Sequence, residues 1–400
     1  MSKKGTDRFA LFFLHPLKKE RKTDMEINYE KTELKTAPAV FAIKDKYCIA
    51  VPVKNDVLFW VTVGDKKYYD HSNGIIRSAV GIHKVYVPMN ELDSCGEYKV
   101  SYRKIIDRKP YFPELEDEVC LGYNFYPIKP EGSINIYHLA DTHGCFEFPA
   151  KAAGFFGDDI DLLILNGDIP DHSGDVKNFD LIYELCSEIT HGTKPCVFSR
   201  GNHDLRGTYA EKLADYTPAN NGKSYYTFRL GRIWGILLDC GEDKNDDHEE
   251  YGGTVCCHAF RQEETEFLKD VVKNAETEYL ADGIKYRLVI SHVAFSHVLL
   301  PPFDIEQDTY KEWLDILKTH IKPNLMLCGH EHITKICDVG GEYDTLGQAC
   351  PVIIGAVPHR HGGDAPFGFT GCALTLDGSK AVVRFTDDKK NIEEEKIIRM

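Results

Sequence analysis

The sequence predicts an α/β protein in which a small all-β domain comes first. Between residue 38 and about residue 128, short apolar runs rich in β-branched and aromatic residues are separated by turn signals such as Asn73-Gly74. From residue 133 onward, strand-like runs alternate with stretches of helical spacing. Polar clusters follow the ends of several of these later strands, which is where open α/β sheets form their ligand-binding crevices.

The composition is typical of a globular protein. The chain has 400 residues, of which 42% are hydrophobic and 28% are charged, so it can bury a sizeable core in one large domain or two. The formal net charge of -15 disfavours nucleic acid or an anionic membrane as a standing partner, because either would favour a basic surface. A small phosphorylated substrate remains compatible with this charge, since bound metal ions would supply local positive charge.

The 13 cysteines indicate reduced thiols in a reducing compartment. Several of them lie in apolar runs, as Cys240 and Cys328 do, which is typical of buried core thiols. The adjacent Cys256 and Cys257 have no second cysteine pair at zinc-ribbon spacing, which argues against a structural four-cysteine zinc site.

The first segment, residues 1–37, is polar and charge-rich. Lys3, Lys4 and the apolar residues 9–14 resemble the start of a signal peptide, but the apolar run is short and His15-Pro16 interrupts it. No run of apolar residues reaches the length of about 20 that a membrane-spanning helix requires. We therefore expect a cytoplasmic protein.

Residues 38–128 are expected to form a β-sandwich, because this region shows no clear helical period. Its predicted strands lie at residues 40–43, 47–51, 57–61, 82–87 and 97–102. A linker at residues 127–132 leads into the predicted α/β domain, residues 133–400.

The α/β domain has strands and helices that can be placed from periodicity. Its predicted strands are residues 134–140, 161–165, 195–199, 226–238, 286–291 and 325–328. Its predicted helices are residues 177–190, 261–273 and 309–320, and residues 371–385 resemble a hairpin around Asp377-Gly378.

Five clusters of potential metal ligands follow the predicted strands. They are Asp141-Thr142-His143-Gly144, Gly167-Asp168, Gly201-Asn202-His203-Asp204, Ser291-His292 and Gly329-His330-Glu331-His332. Carboxylate, imidazole and amide oxygen ligands suit manganese, iron or zinc rather than thiophilic metals. In an extended segment, residues i and i+2 project to the same face, so Asp141 and His143 are expected to bind one ion together.

The ordered set D-x-H, GD, GNHD, H and GHxH resembles the calcineurin-like metallophosphoesterase superfamily over about residues 134–332. The resemblance implies a four-layer α/β/β/α sandwich after the β domain, and a site for two divalent or trivalent metal ions (manganese, iron or zinc). By motif, the first ion would be bound by Asp141, His143 and His332, the second by Asn202, His292 and His330, and both by Asp168.

The same resemblance implies how the reaction would proceed. Two cations about 3.5–4 Å apart clamp phosphate oxygens and lower the pKa of a shared water, and the resulting hydroxide attacks phosphorus. His203 would be the acid that protonates the leaving group, and Asp204 would orient it or stabilise its charge. The predicted activity is hydrolysis of phosphomonoesters or phosphodiesters, with a small phosphorylated molecule as substrate.

Two differences from known subfamilies narrow the part of the superfamily that this chain resembles. Phosphoprotein phosphatases carry an arginine in their second motif, GDxVDRG, whereas residues 167–172 contain none, which disfavours a protein phosphatase. Purple acid phosphatases share an N-terminal β-sandwich but have a tyrosine ligand where this chain has Asp171, so no tyrosinate–iron colour is expected. Residues 238–244 look similar to bacterial two-domain members of the superfamily.

Several alternatives stay open at this level. His297 lies five residues after His292 and competes with it as a ligand, although His292 directly ends the strand. Other polar residues either line the pocket or belong to ordinary loops, namely His172, His258 and His359-Arg360-His361. The acidic residues 246–250 lack the ligand spacing of a calcium loop.

Two rival functions come from other classes. The chain would be a scaffold or binding protein if it had kept this fold and lost catalysis, but the complete ligand set argues against such a loss. Alternatively, the β domain would supply a surface-binding or carbohydrate-binding role. The simpler expectation is that this domain shapes or covers one side of the crevice.

Overall fold

A computed structural model of the chain describes residues 27–362 and 365–400. The signal-peptide-like residues 9–14 lie outside these described ranges. In chain order, the described strands are β1 (Ala39–Ile43), β2 (Lys46–Pro52), β3 (Val57–Val63), β4 (Lys66–Tyr69), β5 (His71–Ser72), β6 (Ile75–Ile76), β7 (Ile82–Pro88), β8 (Glu97–Asp107), β9 (Glu114–Leu115), β10 (Val119–Asn124), β11 (Ile134–Leu139), β12 (Leu162–Asn166), β13 (Pro195–Ser199), β14 (Tyr226–Leu230), β15 (Ile233–Leu237), β16 (Tyr286–Ile290), β17 (Leu325–Cys328), β18 (Lys335–Cys337), β19 (Val352–Ile354), β20 (Val357–His359), β21 (Gly368–Asp377), β22 (Lys380–Asp387) and β23 (Ile392–Arg399).

The described α-helices are α1 (Met89–Cys95), α2 (Glu147–Ala153), α3 (Asp180–Thr190), α4 (Leu213–Tyr216), α5 (Cys257–Lys273) and α6 (Gln307–Ile316). A π-helical turn over Leu317–Ile321 continues α6. Single 3₁₀ turns lie at Tyr29–Lys31, Gly157–Asp159, Val176–Phe179, His203–Leu205, Ala210–Lys212 and Glu249–Tyr251. Among the described residues, no helix is long and apolar enough to cross a membrane.

Two large sheets form the centre of the protein. The ten-stranded sheet has the order β23-β22-β21-β11-β12-β13-β1-β2-β7, with β20 paired to β21, and the six-stranded sheet has the order β14-β15-β16-β17-β19-β18. The middle of each sheet is parallel: β11, β12 and β13 in the first, and β15, β16, β17 and β19 in the second. The carboxyl ends of these parallel strands therefore point the same way within each sheet.

The two sheets pack face to face, and each is covered by helices on its other face. In β16, Leu288 and Ile290 belong to the large core shared with the ten-stranded sheet, whereas Val289 belongs to a second core with residues of α5 and α6. Helices α2 and α3 pack on the ten-stranded sheet. Strands covered on both faces are mostly apolar, as in β12, where only the last residue, Asn166, is polar, and in the Leu288–Ile290 part of β16. The predicted four-layer α/β/β/α sandwich is confirmed.

The N-terminal region is rich in strands, as predicted, but its strands belong to three sheets, the smallest of which is the pair β5 and β6. Strands β3, β4, β8, β9 and β10 form a separate five-stranded sheet. Strands β1, β2 and β7 instead extend the ten-stranded sheet, because β1 runs parallel to β13 with Val40 opposite Pro195 and Phe41 opposite Cys196. The ten-stranded sheet therefore contains strands from both predicted domains, residues 38–128 and 133–400. The boundary between these two domains stays a prediction.

The sequence carries a signal for this arrangement. Every residue of β1 is buried and apolar, without the alternation of a half-exposed sandwich strand, and such a run is typical of a strand inside an α/β sheet. The expectation that this region contains no helix is wrong at one place, where Met89–Cys95 forms α1 and Gly96 ends it with a left-handed φ of 69°.

Substitution of Phe41 tests whether β1 belongs to the core of the α/β domain. Phe41 is fully buried, and its ring lies 6.2 Å edge-on from that of Tyr183 in α3. We expect Phe41→Ala to lower the free energy of unfolding by about 3–5 kcal/mol, since it removes a large buried side chain. Urea unfolding followed by circular dichroism measures this, and Phe112→Ala is the control because Phe112 is 91% exposed. Equal small effects of the two substitutions would show that β1 is dispensable for the α/β core.

Candidate metal centre

The polar clusters of the sequence follow β11, β12, β13, β16 and β17, which are parallel strands in the middle of the two sheets. Because the carboxyl ends of both sets of strands meet at one rim of the sandwich, side chains from distant parts of the sequence converge there. All seven predicted metal ligands are brought together by contacts at this rim. They form two adjoining groups.

The first group contains Asp141, His143 and His332. Nε2 of His143 lies 2.9 Å from Nε2 of His332, and Nε2 of His332 lies 3.5 Å from Oδ1 of Asp141. Nε2 of His143 lies 3.9 Å from the same carboxylate oxygen. One ligand atom from each of the three residues can thus face a single ion.

The second group adjoins the first through Asp168. Oδ2 of Asp168 lies 4.0 Å from Nε2 of His143 and 3.2 Å from Nε2 of His292, so one carboxylate oxygen faces residues of both groups. Nε2 of His292 is also 3.7 Å from Oδ1 of Asp141. Asp168 is 1% exposed, and Asp141 belongs to both candidate ligand groups, one with His143 and His332 and one with Asp168 and His292.

Asn202 and His330 complete the second group. Oδ1 of Asn202 lies 3.1 Å from Nδ1 of His330, and the His330 ring lies 5.5 Å edge-on from the ring of His292. The backbone N–H of His330 donates to both carboxylate oxygens of Asp141, at 3.1 and 2.9 Å. The loop after β17 is thereby tied to the loop after β11.

The side chains converge by a different route from the one that the sequence predicts. Strand β11 ends at Leu139, and Asp141 and His143 both have left-handed backbone, with φ of 53° and 45°. The argument that an extended Asp-x-His segment projects both side chains to one face is therefore wrong. Asp168, His330 and His332 are also left-handed, with φ of 52°, 71° and 51°. Left-handed backbone costs roughly 1–2 kcal/mol per non-glycine residue, and such strain concentrates at functional sites.

Three glycines are needed because ligands pass very close to them. A Cβ atom on Gly167 would lie 2.5 Å from Nδ1 of His292, and one on Gly329 would lie 2.6 Å from Oδ2 of Asp141. A Cβ atom on Gly201 would collide with the carboxylate of Asp168. At these positions glycine provides space for the ligand of another strand.

Asn166 positions His292 and was not identified from the sequence. Its side-chain amide donates to the carbonyl oxygens of Leu327 (3.0 Å) and Ser291 (3.2 Å), and so joins the ends of β12, β16 and β17. Its backbone carbonyl accepts a hydrogen bond from Nδ1 of His292 at 2.7 Å, which directs Nε2 of that ring toward Asp168. The sequence signal for Asn166 was a polar residue at the end of the apolar run of β12. Such partners fix the orientation of metal-binding imidazoles.

The electrostatics of the site favour a bound cation. Burial raises the pKa of Asp141 and of Asp168, but His292 outweighs it and the pKa of both carboxyls lies below its usual range. Burial lowers the pKa of His292, yet Asp168 and Asp141 raise it to about 10. The buried carboxylates therefore stabilise positive charge between them.

The donor atoms fit metal ions. Nε2 of His292 is buried and has no hydrogen-bond partner among the described residues, although it faces two carboxylates. Burial is the main cause that lowers the pKa of His143 to about 4. Nitrogen and oxygen donors of this kind suit manganese, iron or zinc.

His203 lies beside the first group, and one of its ring nitrogens lies within 4.8 Å of ligand atoms of His143 and Asp171. Its backbone N–H donates to Oδ1 of Asp168 at 2.9 Å, and its ring lies 4.7 Å edge-on from that of His143. Nδ1 lies 2.9 Å from the carbonyl oxygen of Asp171, and Nε2 lies 3.1 Å from Nη1 of Arg206. Its side chain is 30% exposed, so it is accessible from the cleft.

Asp204 contacts the backbone of Gly201 rather than the ring of His203, which the resemblance implies that it would orient or stabilise. Its buried carboxylate accepts a hydrogen bond from the backbone N–H of Gly201 at 2.7 Å, and it secures the loop that carries Asn202. Burial, together with the charge of Asp168, raises the pKa of Asp204 to about 7. The ring of His203 is contacted by Asp171 and Arg206 instead.

Asp171 also touches the first group. Its Oδ1 lies 3.3 Å from Nδ1 of His143, on the side of the ring opposite the predicted ligand nitrogen. The carboxylate can therefore orient a ligand from the position at which purple acid phosphatases have their tyrosine.

The remaining candidates lie outside the two groups. His297 faces Glu331, with Nε2 3.1 Å from Oε1, whereas His292 faces Asp168. His258 pairs with Glu306 at 2.8 Å, and His359 bonds to Thr370 at 2.8 Å. His172 accepts a hydrogen bond from the backbone of Gly174, and Asp246 accepts from the backbone N–H groups of Cys257 and His258 at the start of α5. These contacts place His172 in a turn, Asp246 and His258 at the start of α5, His359 in β20 and His297 in a pair with Glu331.

Adding a methyl group at Gly201 tests the close approach of Asp168. We expect Gly201→Ala to displace that carboxylate, to lower the amount of metal retained after repletion and to cost about 1–3 kcal/mol of stability through overpacking. Elemental analysis and urea unfolding measure the two effects. Gly122→Ala is the matched control, because a Cβ atom there meets nothing within 4 Å. Wild-type metal content in Gly201→Ala would contradict the assignment of Asp168 as a shared ligand.

Comparisons with known proteins find a matching family and similar folds. A family model described as calcineurin-like phosphoesterase matches residues 134–334. The fold is similar to that of purple acid phosphatase PPD1 from yellow lupin (Lupinus luteus) seeds, with 13% identity and a TM-score of 0.54 over 91% of this chain and 74% of that one. It is also similar to PhoD, with 11% identity and a TM-score of 0.53 over 92% of this chain and 90% of that one.

No curated protein matches the chain. At such low identities the two structural likenesses establish the fold alone. The family model, in contrast, spans just over half of the 400 residues and includes every cluster that follows a strand. The chain belongs to the calcineurin-like phosphoesterase family.

Proposed function

We propose that this protein is a hydrolase of phosphate esters that uses two adjacent metal ions. The observation that carries the proposal is the convergence of seven oxygen and nitrogen ligands around the buried carboxylates of Asp141 and Asp168. Asp141, His143 and His332 would hold one ion, Asn202, His292 and His330 the other, and Asp168 both. Manganese, iron and zinc are the candidate metals, given these donors.

When bound, the ions supply Lewis-acid charge at the phosphoryl oxygens and lower the pKa of a coordinated water. The chain's own residues prepare the site for this. Asn166 and Asp171 orient the imidazoles of His292 and His143, and Gly201 leaves room for Asp168. Because these contacts are formed in advance, little reorganisation is needed when charge develops on the substrate.

His203 is the proposed proton donor to the leaving group. Its backbone is fixed to Asp168, its ring adjoins that of His143, and its side chain is accessible. For a proton to pass from Nε2, the leaving oxygen must take the place at which Arg206 now donates. Nε2 of His203 must therefore lose its contact with Arg206 and take up a proton from solvent before it can pass one to the leaving oxygen.

Two further features support proposals about the colour of the metal centre and the location of the protein. With Asp171 where purple acid phosphatases have tyrosine, we propose a colourless centre. The 13 cysteines are all free, and we keep the cytoplasm as the proposed location on that basis. Phosphomonoesters and phosphodiesters are the proposed substrate classes.

Assays of the metal-loaded protein test the proposal. We expect protein loaded with manganese or zinc to hydrolyse p-nitrophenyl phosphate, its bis-ester, or both, and Asp168→Asn to lose metal and activity together, since one carboxylate serves both ions. Metal content and product release are measured on the same samples. Loaded wild-type protein that cleaves neither ester would favour the alternative, a phosphoesterase fold retained as a scaffold.

Removal of His203 tests its role separately from metal binding. We expect His203→Ala to retain metal, because the ring is not a ligand, and to lower kcat by about 100- to 10,000-fold for esters with poor leaving groups. The loss should be much smaller for aryl esters, whose leaving group needs no proton. A series of leaving groups of graded pKa measures the difference, and an equal loss across the series would rule out proton donation by His203.

A further inference from the structure

Arg206 is held rigidly beside His203 by a buried carboxylate. Its Nε and Nη2 donate to Oε1 and Oε2 of Glu242, each at 2.9 Å, and Glu242 is 1% exposed. This fork-to-fork contact fixes the plane of the guanidinium. Glu242 lies 36 residues further along the chain, in the loop after β15, so the contact joins two loops at the rim of the site.

The guanidinium of Arg206 has more N–H donors than these contacts use. Arginine carries five N–H groups. Two are used on Glu242 and one, on Nη1, points to Nε2 of His203 at 3.1 Å, which leaves two for another acceptor. The side chain is 28% exposed, so an acceptor in the cleft can reach it.

The contact with His203 occupies the atom that the proposed reaction needs. Arginine has no acceptor, so Nε2 of His203 must accept and Nδ1 must carry the hydrogen that is donated to Asp171. A leaving group can approach Nε2 only when the guanidinium donates elsewhere. A phosphoryl oxygen is a stronger acceptor for a guanidinium than a neutral imidazole, because the bond is charge-assisted.

The neighbouring lysine is already engaged. The ammonium of Lys244 lies 2.8 Å from Glu250 and 3.3 Å from Asp243, and it lies over the ring of Phe303. Arg206 lies farther from the same two carboxylates, at 3.6 Å from Glu250 and 3.9 Å from Asp243. Among the described residues, the two N–H groups of Arg206 without a hydrogen bond therefore face Glu250 and Asp243 only at these longer distances, and a closer acceptor can take them.

We infer that Arg206 binds a phosphoryl oxygen of the substrate and thereby selects phosphomonoesters over phosphodiesters. This inference rests on the proposed function. A monoester has three non-bridging oxygens and two negative charges when fully ionised, so one oxygen remains for Arg206 if the ions take the other two. A diester has two non-bridging oxygens and one charge. Transfer of the guanidinium to the monoester also frees Nε2 of His203, which can then take up a proton from solvent and pass it to the leaving oxygen.

The test compares the two esters in matched variants. We expect Arg206→Gln to lower kcat/KM for p-nitrophenyl phosphate by about 10- to 100-fold, the worth of one charge-assisted hydrogen bond, and that for the bis-ester by less than about threefold. Arg206→Lys should recover part of the monoester loss, since it restores the charge. Arg384→Gln is the control, because Arg384 pairs with Glu395 on the last hairpin at 2.6 Å.

Two further measurements separate substrate binding from a structural role. The double variant Arg206→Gln with Glu242→Gln leaves no buried carboxylate unpaired, and it should show the same monoester-selective loss with unchanged metal content. In a His203→Ala background, Arg206→Gln should still weaken monoester hydrolysis. Equal losses for both esters, or no further loss once His203 is removed, would overturn the inference, because Arg206 would then act through the fold or through His203.

Calorimetric titration with inorganic phosphate gives a readout that needs no turnover. The metal-loaded wild type should bind phosphate about 10- to 100-fold more tightly than Arg206→Gln does. If the wild type cleaved neither ester, the proposed function would fail, and this titration alone would decide the role of Arg206. Weaker phosphate binding by the variant supports it, and equal affinity overturns it.

Discussion

Two buried carboxylates, Asp141 and Asp168, share a small space with the imidazoles of His143, His292 and His332, and the rest of the site is arranged around the charge that they create. Burying carboxylates is costly unless positive charge or hydrogen bonds compensate them. Here the compensation comes from His292 and from backbone N–H groups of His330 and His203. A site that stabilises positive charge so strongly is suited to metal ions, which the proposed phosphoesterase chemistry requires.

The fold brings these charged side chains together at the ends of its strands. Parallel strands of two facing sheets bring five loops to one rim, and Asn166 fastens three of those strand ends to one another. The loops then bend through left-handed residues, which cost energy that the surrounding core must offset. The strands β1, β2 and β7 widen the same sheet, so the N-terminal region contributes to the scaffold that holds the site.

Much of this could be predicted from the sequence, because strand-end clusters in a fixed order depend only on local pattern. The four-layer fold, the family and the grouping of Asp141 with His143 were accessible in this way. The route by which those two side chains converge was not, since left-handed turns at non-glycine residues leave no periodic signal. The contact of Arg206 with Glu242 joins residues 36 positions apart and depends on how two loops fold. Asp204 was assigned by motif alone, and its carboxylate instead secures the backbone of Gly201.

The central claim is that one protein chain holds two metal ions through a shared carboxylate. The most direct measurement is the metal content of protein that has been stripped with a chelator, repleted with manganese or zinc and freed of excess metal, with protein concentration from amino-acid analysis. We expect two ions per chain. One ion or fewer per chain would contradict it, because the second group of ligands would then be unused.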